Sequence, residues 1–237
     1  MPDEVIIADD GSTNSTRELI ASFQKDLPIS LKHVWHSDEG FRLAAIRNKA
    51  IAASESDYII QIDGDLILHP HFIYDHVQFG RKNFFVTGSR VMLSEESTNR
   101  LLHYHSIDIK KYATGKTNLA NGIRNKFIRN LLAEHYKTGG KHKYYVKGCN
   151  MAFWRKDLIA VNGYNEAFTG WGREDSEIAI RLMNNSIKKQ FMKMGGICYH
   201  LHHRVASRDL EERNVLLMQE TIETAAIKAA DGLSKYF

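Results

Sequence analysis

Residues 57–68 read DYIIQIDGDLIL. A β-prone run leads up to Asp63, a second one, Leu66–Ile67–Leu68, leads away, and between them two carboxylates flank a single glycine. Asp-Gly between two such runs is a strong hairpin signal. The same pair of carboxylates is also a set of hard oxygen donors suited to a divalent cation. The surrounding chain decides between these readings. Upstream, EVIIA (4–8) reads as a short strand ended by Asp9–Asp10–Gly11–Ser12. Ser12, Thr13 and Asn14 suit the start of a helix covering Arg17 to Lys25, which Pro28 stops. LKHVW (31–35) alternates as a second strand, RLAAIRNKAIAA (42–53) has helical spacing, and DYIIQI (57–62) is a third strand. Strand, helix, strand, helix, strand predicts an α/β fold with βαβ units and a mostly parallel sheet. Ligands of such sheets gather beyond the carboxyl ends of strands, where both Asp9–Asp10 and Asp63–Asp65 fall.

The pattern then loosens. FFVTGSRVM (84–92) predicts one further strand, Arg124 to His135 a helix, and Lys137–Lys143, with Gly139 and Gly140, a flexible loop. YYVKGCNMAFW (144–154) predicts a strand pair about Gly148. Helix 175–184, strand 190–199 and a last amphipathic helix over about Leu210 to Ala230 complete the chain.

A length of 237 residues allows one large α/β domain or two small ones. The hydrophobic fraction of 43% and charged fraction of 25% are those of an ordinary soluble protein. Cys149 and Cys198 form no CxxC pair, which argues against a zinc ribbon or disulfide framework and for two reduced thiols. No apolar run reaches the roughly 18 residues of a membrane span, and MPDEVIIADD lacks the basic and apolar regions of a signal peptide. A cytoplasmic location is therefore expected. The net charge is +4, but residues 100–148 hold eleven Lys or Arg against Asp108 and Glu134 alone, a local +9. Such a stretch is either a solvated surface or one that faces something anionic. No helix-turn-helix or RNP motif accompanies it, so nucleic acid is not an expected partner.

Four clusters carry candidate chemistry: Asp9–Asp10–Gly11–Ser12, Asp63–Gly64–Asp65, Trp171–Gly172–Arg173–Glu174–Asp175 and His200–Leu201–His202–His203. Taken singly, they read as a helix-capping turn, a hairpin turn, a Trp anchor with a capped helix, and a surface His tract. Taken in this order, they resemble family 2 glycosyltransferases of GT-A fold, in the branch of chondroitin-polymerase-type and β-1,4-galactosyltransferase-like enzymes. The segments that carry the resemblance are ADDGST (8–13), DEGFRLAAIRNKAI (38–51), QIDGD (61–65), VKGCNMAFWRKDLIAVNGYNEAFTGWGREDSEIAIR (146–181) and YHLHH (199–203). Roughly 85–143 lies outside it.

The resemblance implies a single GT-A domain over 1–237, with a nucleotide-binding half (1–84) and an acceptor and catalytic half (85–237). It implies an inverting, metal-dependent glycosyltransferase that moves a hexosyl or N-acetylhexosaminyl group from a UDP-sugar to a glycan or lipid-linked acceptor during surface polysaccharide assembly. A non-catalytic, degenerate sugar-nucleotide-binding module is the alternative. The leaving diphosphate gathers negative charge, which a bridging Mn2+ or Mg2+ stabilises. Asp65 is the implied metal ligand, His200 completes the site with His203 as runner-up, and a carboxylate–imidazole set suits manganese better than calcium. Asp63 would contact the ribose or reach the metal through water, with Gly64 allowing close backbone approach. Asp9 and Asp10 would read uracil and ribose, Arg47 and Asn48 would support the nucleotide pocket, and Arg42 would pair with a phosphate. Asp175 is the implied base that takes the acceptor proton, and Glu174 would bond a donor or acceptor sugar. Trp171 offers a face for a sugar ring, Gly170 and Gly172 flank it in a loop able to close as a lid, and Gly148, Cys149 and Asn150 would line the sugar pocket.

Two features depart from the family pattern. The chain begins at the family's second strand, so the first βα unit is missing, and weakened or absent UDP binding is expected relative to a form that has it. The basic region 100–148, with Phe127, Ile128, Leu131 and Leu132 among its cations, suits a peripheral contact with the inner membrane face or a lipid-diphosphate acceptor.

Overall fold

The computed structural model describes residues 1–237. β1 (Glu4–Asp9), α1 (Asn14–Asp26), β2 (Ser30–Trp35), α2 (Leu43–Ala53) and β3 (Tyr58–Ile62) follow in the expected order. Then come β4 (Leu66–Leu68), α3 (Phe72–Phe79), β5 (Phe84–Gly88), β6 (Val91–Leu93), α4 (Glu95–His103), α5 (Ile109–Tyr112), β7 (Lys116–Thr117) and α6 (Lys126–Leu132). The last elements are β8 (Asn150–Trp154), α7 (Arg155–Ala160), α8 (Glu174–Asn184), β9 (Lys188–Met192), β10 (Cys198–His200) and α9 (Glu211–Glu223). None of the helices is long and apolar enough to cross a membrane.

Two compact units interleave along the chain. The first comprises Met1–Ile59, Trp154–Ile187 and Ala206–Phe237, and the second Ile60–Phe153 and Lys188–Val205.

In the first unit β1 and β2 pair in parallel, Glu4 opposite Ser30 through Asp9 opposite Trp35. They form a two-stranded sheet, so the expected continuous sheet through the first three strands is not formed. α2 packs on both strands. Its Ala44, Ala45, Ile46 and Ile51 are buried, and short alanines let the helix axis come close to the sheet. Ile46 is fully buried, worth about 2 kcal/mol relative to an exposed side chain. α8 packs against α9, with Ile178, Ala179, Ile180 and Leu182 inside.

The second unit holds two four-stranded sheets, β3-β8-β5-β9 and β4-β10-β6-β7. Three stretches of chain each run from the first of these sheets into the second: β3 into β4, β5 into β6, and β9 into β10. Residues 84–92 and 190–199, each expected as one strand, are therefore two. Gly64, Ser89–Arg90 and the Met194–Gly196 turn mark the breaks, the last with Met194 and Gly196 in the left-handed region. The DGD stretch is thus no hairpin, because β3 and β4 belong to different sheets. Parallel pairs (β1/β2, β5/β9, β6/β10) and antiparallel pairs (β5/β8, β4/β10, β6/β7) both occur, so the sheet content is mixed.

Other differences have local causes. Residues 144–149 make turns, with Tyr145 N–H donating to His142 O and Asn150 N–H to Lys147 O, and only β8 of the expected strand pair forms. The loop expected to be flexible is tied at its end: buried Lys189 donates to the carbonyls of His142, Lys143 and Tyr145. α3 escapes periodicity reading because its buried face carries Asp75 and His76. Asp75 accepts from Arg124, Arg129 and Gly196 N–H. Burial works to raise its carboxyl, and these donors outweigh burial and hold it below its ordinary value. Cys149 and Cys198 are buried and unbridged, and burial pushes the Cys198 thiol up to about 12.

Candidate active site

In the second unit, antiparallel pairing sets His200 opposite Leu66, and Leu201 N–H donates to Asp65 O. This register brings the end of the β3–β4 break to the end of β10. Asp65 Oδ2 lies 3.2 Å from His200 Nε2 and 2.9 Å from His203 Nε2. The three ligand atoms fall within 4.8 Å of one another. The structure thus groups Asp65 with both histidines, and the runner-up His203 is the nearer.

This set fits a divalent cation on its own chemistry. His200 Nδ1–H donates to Leu201 O and His203 Nδ1–H to Arg204 O, which fixes both tautomers. Burial lowers the pKa of His200, and the charge of Arg90 adds to that effect. Its Nε2 therefore presents a lone pair to a carboxylate, acceptor against acceptor, which a metal ion resolves. Asp65 Oδ1 is buried with no hydrogen-bond partner, a second acceptor in want of a cation.

Around this group the other expected residues take distinct positions. Asp63 directly follows β3, half-buried and within electrostatic reach of Cys198 on β10. Gly64 has an ordinary φ, and a Cβ there would meet nothing within 4 Å, so the chain itself makes no steric demand for glycine. Gly148 offers its carbonyl to Gln61. Asn150 is corrected as a sugar contact. It is fully buried, its Nδ2 donates to Ser89 O and Gly196 O, and its Oδ1 accepts from His76. With its amide spent on the interior, it positions β8 rather than a ligand.

In the first unit, α2 directs Arg47 at the start of α8. Its Nη1 donates to Asp175 Oδ1 at 2.8 Å and Glu174 Oε1 at 3.2 Å. Arg47 is thus a partner of the two carboxylates. Asp175 is the more accessible, its side chain 21% exposed against 9% for Glu174. One buried guanidinium faces both carboxylates. Burial raises Glu174 to about 7, and the Asp175 charge adds to this while Arg47 opposes it.

A pH effect follows. The ordinary value of this carboxyl is 4.5, so between there and about 7 the folded chain holds a proton that the unfolded chain has lost. Stability then falls as pH rises through that window, by up to roughly 1.4 kcal/mol per pH unit. Glu174→Gln removes this dependence. Thermal melts should show the variant gaining on the natural protein between pH 5 and pH 8, and an equal offset at both values contradicts the assignment.

Asp9 and Asp10 end β1 as expected, and each meets a histidine that the sequence reading missed. His33 Nε2 lies 2.8 Å from Asp9 Oδ2, and His36 Nε2 contacts Asp10 Oδ1. Burial acts to raise the Asp9 carboxyl, but the Ser12 donors and His33 bring it below its ordinary value. Asp10 also accepts from Arg42 N–H at 2.8 Å, while the Arg42 guanidinium pairs with Glu39. Asn48, expected in the nucleotide pocket, is fully buried and spends its amide on Tyr164 O, Tyr164 N–H and Glu166.

The Trp171 loop is strapped rather than free. Gly170 has φ +70° and lies against Leu210, where a Cβ would come within 3.0 Å. Gly172 has φ +103°. Arg208 stacks over the Trp171 ring at 4.5 Å, and Arg173 pairs with Glu211. Fully buried Asn214, on α9, donates to Thr169 O at 3.1 Å and Gly172 O at 3.0 Å. No sequence pattern marks it. Asn214→Ala leaves buried carbonyls without donors and should cost about 1–3 kcal/mol in denaturant unfolding; an unchanged midpoint contradicts the strap.

These residues stand in a recognisable relation to known proteins. Residues 1–159 match Glycosyl transferase family 2, and residues 129–204 match the N-terminal domain of galactosyltransferase. The chain belongs to glycosyl transferase family 2. It is 26% identical over 213 residues to chondroitin synthase of Escherichia coli, covering 83% of this chain and 30% of that protein. Against validoxylamine A glucosyltransferase of Streptomyces hygroscopicus subsp. jinggangensis it is 24% identical over 194 residues, covering 78% of this chain and 44% of the relative. The chain thus spans less than half the length of either relative. S. aureus TarS 1-349 shares its fold with a TM-score of 0.62 at 12% identity, over 100% of this chain and 60% of that one. GalNAc-T7 with UDP, GalNAc and Mn2+ gives 0.60 at 11% identity, over 92% of this chain and 42% of that one. The fold is the GT-A fold.

Proposed function

We propose that this chain is the catalytic domain of an inverting, divalent-metal-dependent glycosyltransferase. It would move a hexosyl or N-acetylhexosaminyl group from a UDP-sugar to a glycan or lipid-linked acceptor in surface polysaccharide assembly. The observation that carries the reading is the meeting of Asp65, His200 and His203 within 4.8 Å, with Asp65 Oδ1 unpartnered. The relatives named above, one a chondroitin synthase, support polysaccharide as the product class. TarS crystallised with UDP-GlcNAc and GalNAc-T7 with UDP and Mn2+ support the donor and the metal.

Asp65, His200 and His203 would hold Mn2+ or Mg2+, which when bound supplies charge stabilisation for a departing diphosphate. Asp63 orients the nucleotide, and Asp9 and Asp10 read its base and ribose. The acceptor hydroxyl oxygen attacks the anomeric carbon while the bond from that carbon to the phosphate oxygen breaks, and the electron pair leaves with UDP. Asp175 takes the hydroxyl proton: Arg47 holds its Oδ1, and its Oδ2 is left for the substrate. Glu174, near 7, can donate to or accept from a sugar hydroxyl. Trp171 and Gly172 contribute the sugar-facing loop. We further propose that residues 1–237 act as one domain on the cytoplasmic side.

A thermal-shift screen of UDP-sugars, at concentrations high enough to register weak binding, tests the donor assignment. One UDP-sugar should raise the melting temperature with Mn2+ and lose that effect with EDTA. A shift indifferent to the metal contradicts it.

A further inference from the structure

In the second unit, two short helices each expose apolar side chains. Tyr74 and Val77 of α3 are 52% and 57% exposed and lie three residues apart on one side of the helix. On α6, Arg129 is 1% exposed and points inward to Asp75. Phe127 and Leu131 stand two positions to either side of it, about 200° round the helix, and so point away from the interior; they are 79% and 63% exposed. The two helices are joined through Asp75, which ion-pairs with both Arg124 and Arg129. The Arg124 guanidinium also lies 5.9 Å from the Tyr74 ring centroid, and neighbouring Ile123 is 53% exposed. Ile123, Phe127 and Leu131 thus form an exposed apolar cluster within nine residues of the chain. An exposed cluster of this kind marks a surface built to be covered.

Charge selects what covers it. Ile123, Phe127 and Leu131 belong to the stretch 100–148, with its local +9. Of the two acids there, Glu134 is tied to Arg81 and Asp108 caps α5. Lys126 borders Phe127 with no carboxylate partner. A second copy meeting this face symmetrically would set cations against cations. An acidic glycan would satisfy the cations, but it leaves the aliphatic Ile123 and Leu131 in contact with a polar chain. An anionic lipid surface answers both needs, with headgroups for Lys126 and its neighbours and acyl chains for Phe127 and Leu131.

We propose that the exposed face of α6 is a peripheral docking surface for an anionic lipid leaflet, with Phe127 and Leu131 inserted and Lys126 at the headgroups. This inference is independent of the transfer reaction. It is tested by co-sedimentation of the full chain with phosphatidylcholine vesicles, with and without phosphatidylserine. The expected result is binding only to the anionic vesicles, weakened by salt. Phe127→Ser with Leu131→Ser should cut partitioning at least about tenfold while melting temperature and UDP release stay unchanged. Lys126→Glu should weaken binding without removing it. Equal binding to neutral and anionic vesicles, no binding at all, or a double variant that binds like the natural protein would overturn the proposal. So would a dimer that the double variant abolishes in the absence of vesicle binding, which would give the face to a second copy.

Discussion

Asp175→Asn is expected to lower metal-dependent sugar transfer by about 10²–10⁴-fold, the usual worth of a positioned general base. The substitution keeps the shape of the side chain, and Oδ1 can still accept from Arg47, which now donates at 2.8 Å. What is lost is the basicity of the other oxygen, so donor binding should persist while turnover falls. Glu174→Gln gives the contrast. Glu174 already holds a proton for part of the neutral range, being raised to about 7 by burial and then by Asp175. Its amide analogue should retain more activity than the Asp175 variant below pH 7. Steady-state rates of the two variants across pH 6–8 check this, and equal losses would contradict the division of labour.

Asp65→Ala is expected to reduce Mn2+ affinity by more than about 100-fold, since even an outer partner of a metal ligand is commonly worth 10–100-fold. Asp65 is the sole carboxylate in the group, and both imidazoles converge on its Oδ2. Its loss leaves two imidazoles and no anionic donor. Asp63→Ala should behave differently, weakening donor binding while keeping the response to metal, because Asp63 is no member of the group. Manganese titration followed by electron paramagnetic resonance measures both. Equal losses in the two variants, or none in Asp65→Ala, would refute the assignment.

The difference between these carboxylates was partly legible in the sequence. Asp63 and Asp65 stand at a strand end, and HLHH follows a strand, which suffices to nominate a metal site. The ranking of His200 over His203 was not legible, because it depends on where the chain turns after β10, and His203 comes closer. The role of Arg47 was hidden for a related reason. α2 is apolar on most of its faces, and nothing in RLAAIRNKA says that its arginine is buried toward α8. Asn48 and Asn150 looked like ligand contacts because the family motifs contain them, yet their amides are consumed by backbone groups and by the Glu166 and His76 side chains inside the units. Strand counting failed at 84–92 and 190–199 because alternation continues across a break that only sheet membership reveals. Asn214 sits on an amphipathic helix where a polar residue reads as solvent-facing, although it is fully buried.

The most direct test of the central claim is UDP release from a panel of UDP-sugars by residues 1–237, with Mn2+ and with EDTA, at raised donor concentration. The reading of this chain as a metal-dependent glycosyltransferase predicts release from at least one donor that requires Mn2+ and disappears in Asp175→Asn. Manganese-dependent donor binding with no release, or release that survives Asp175→Asn, would contradict it.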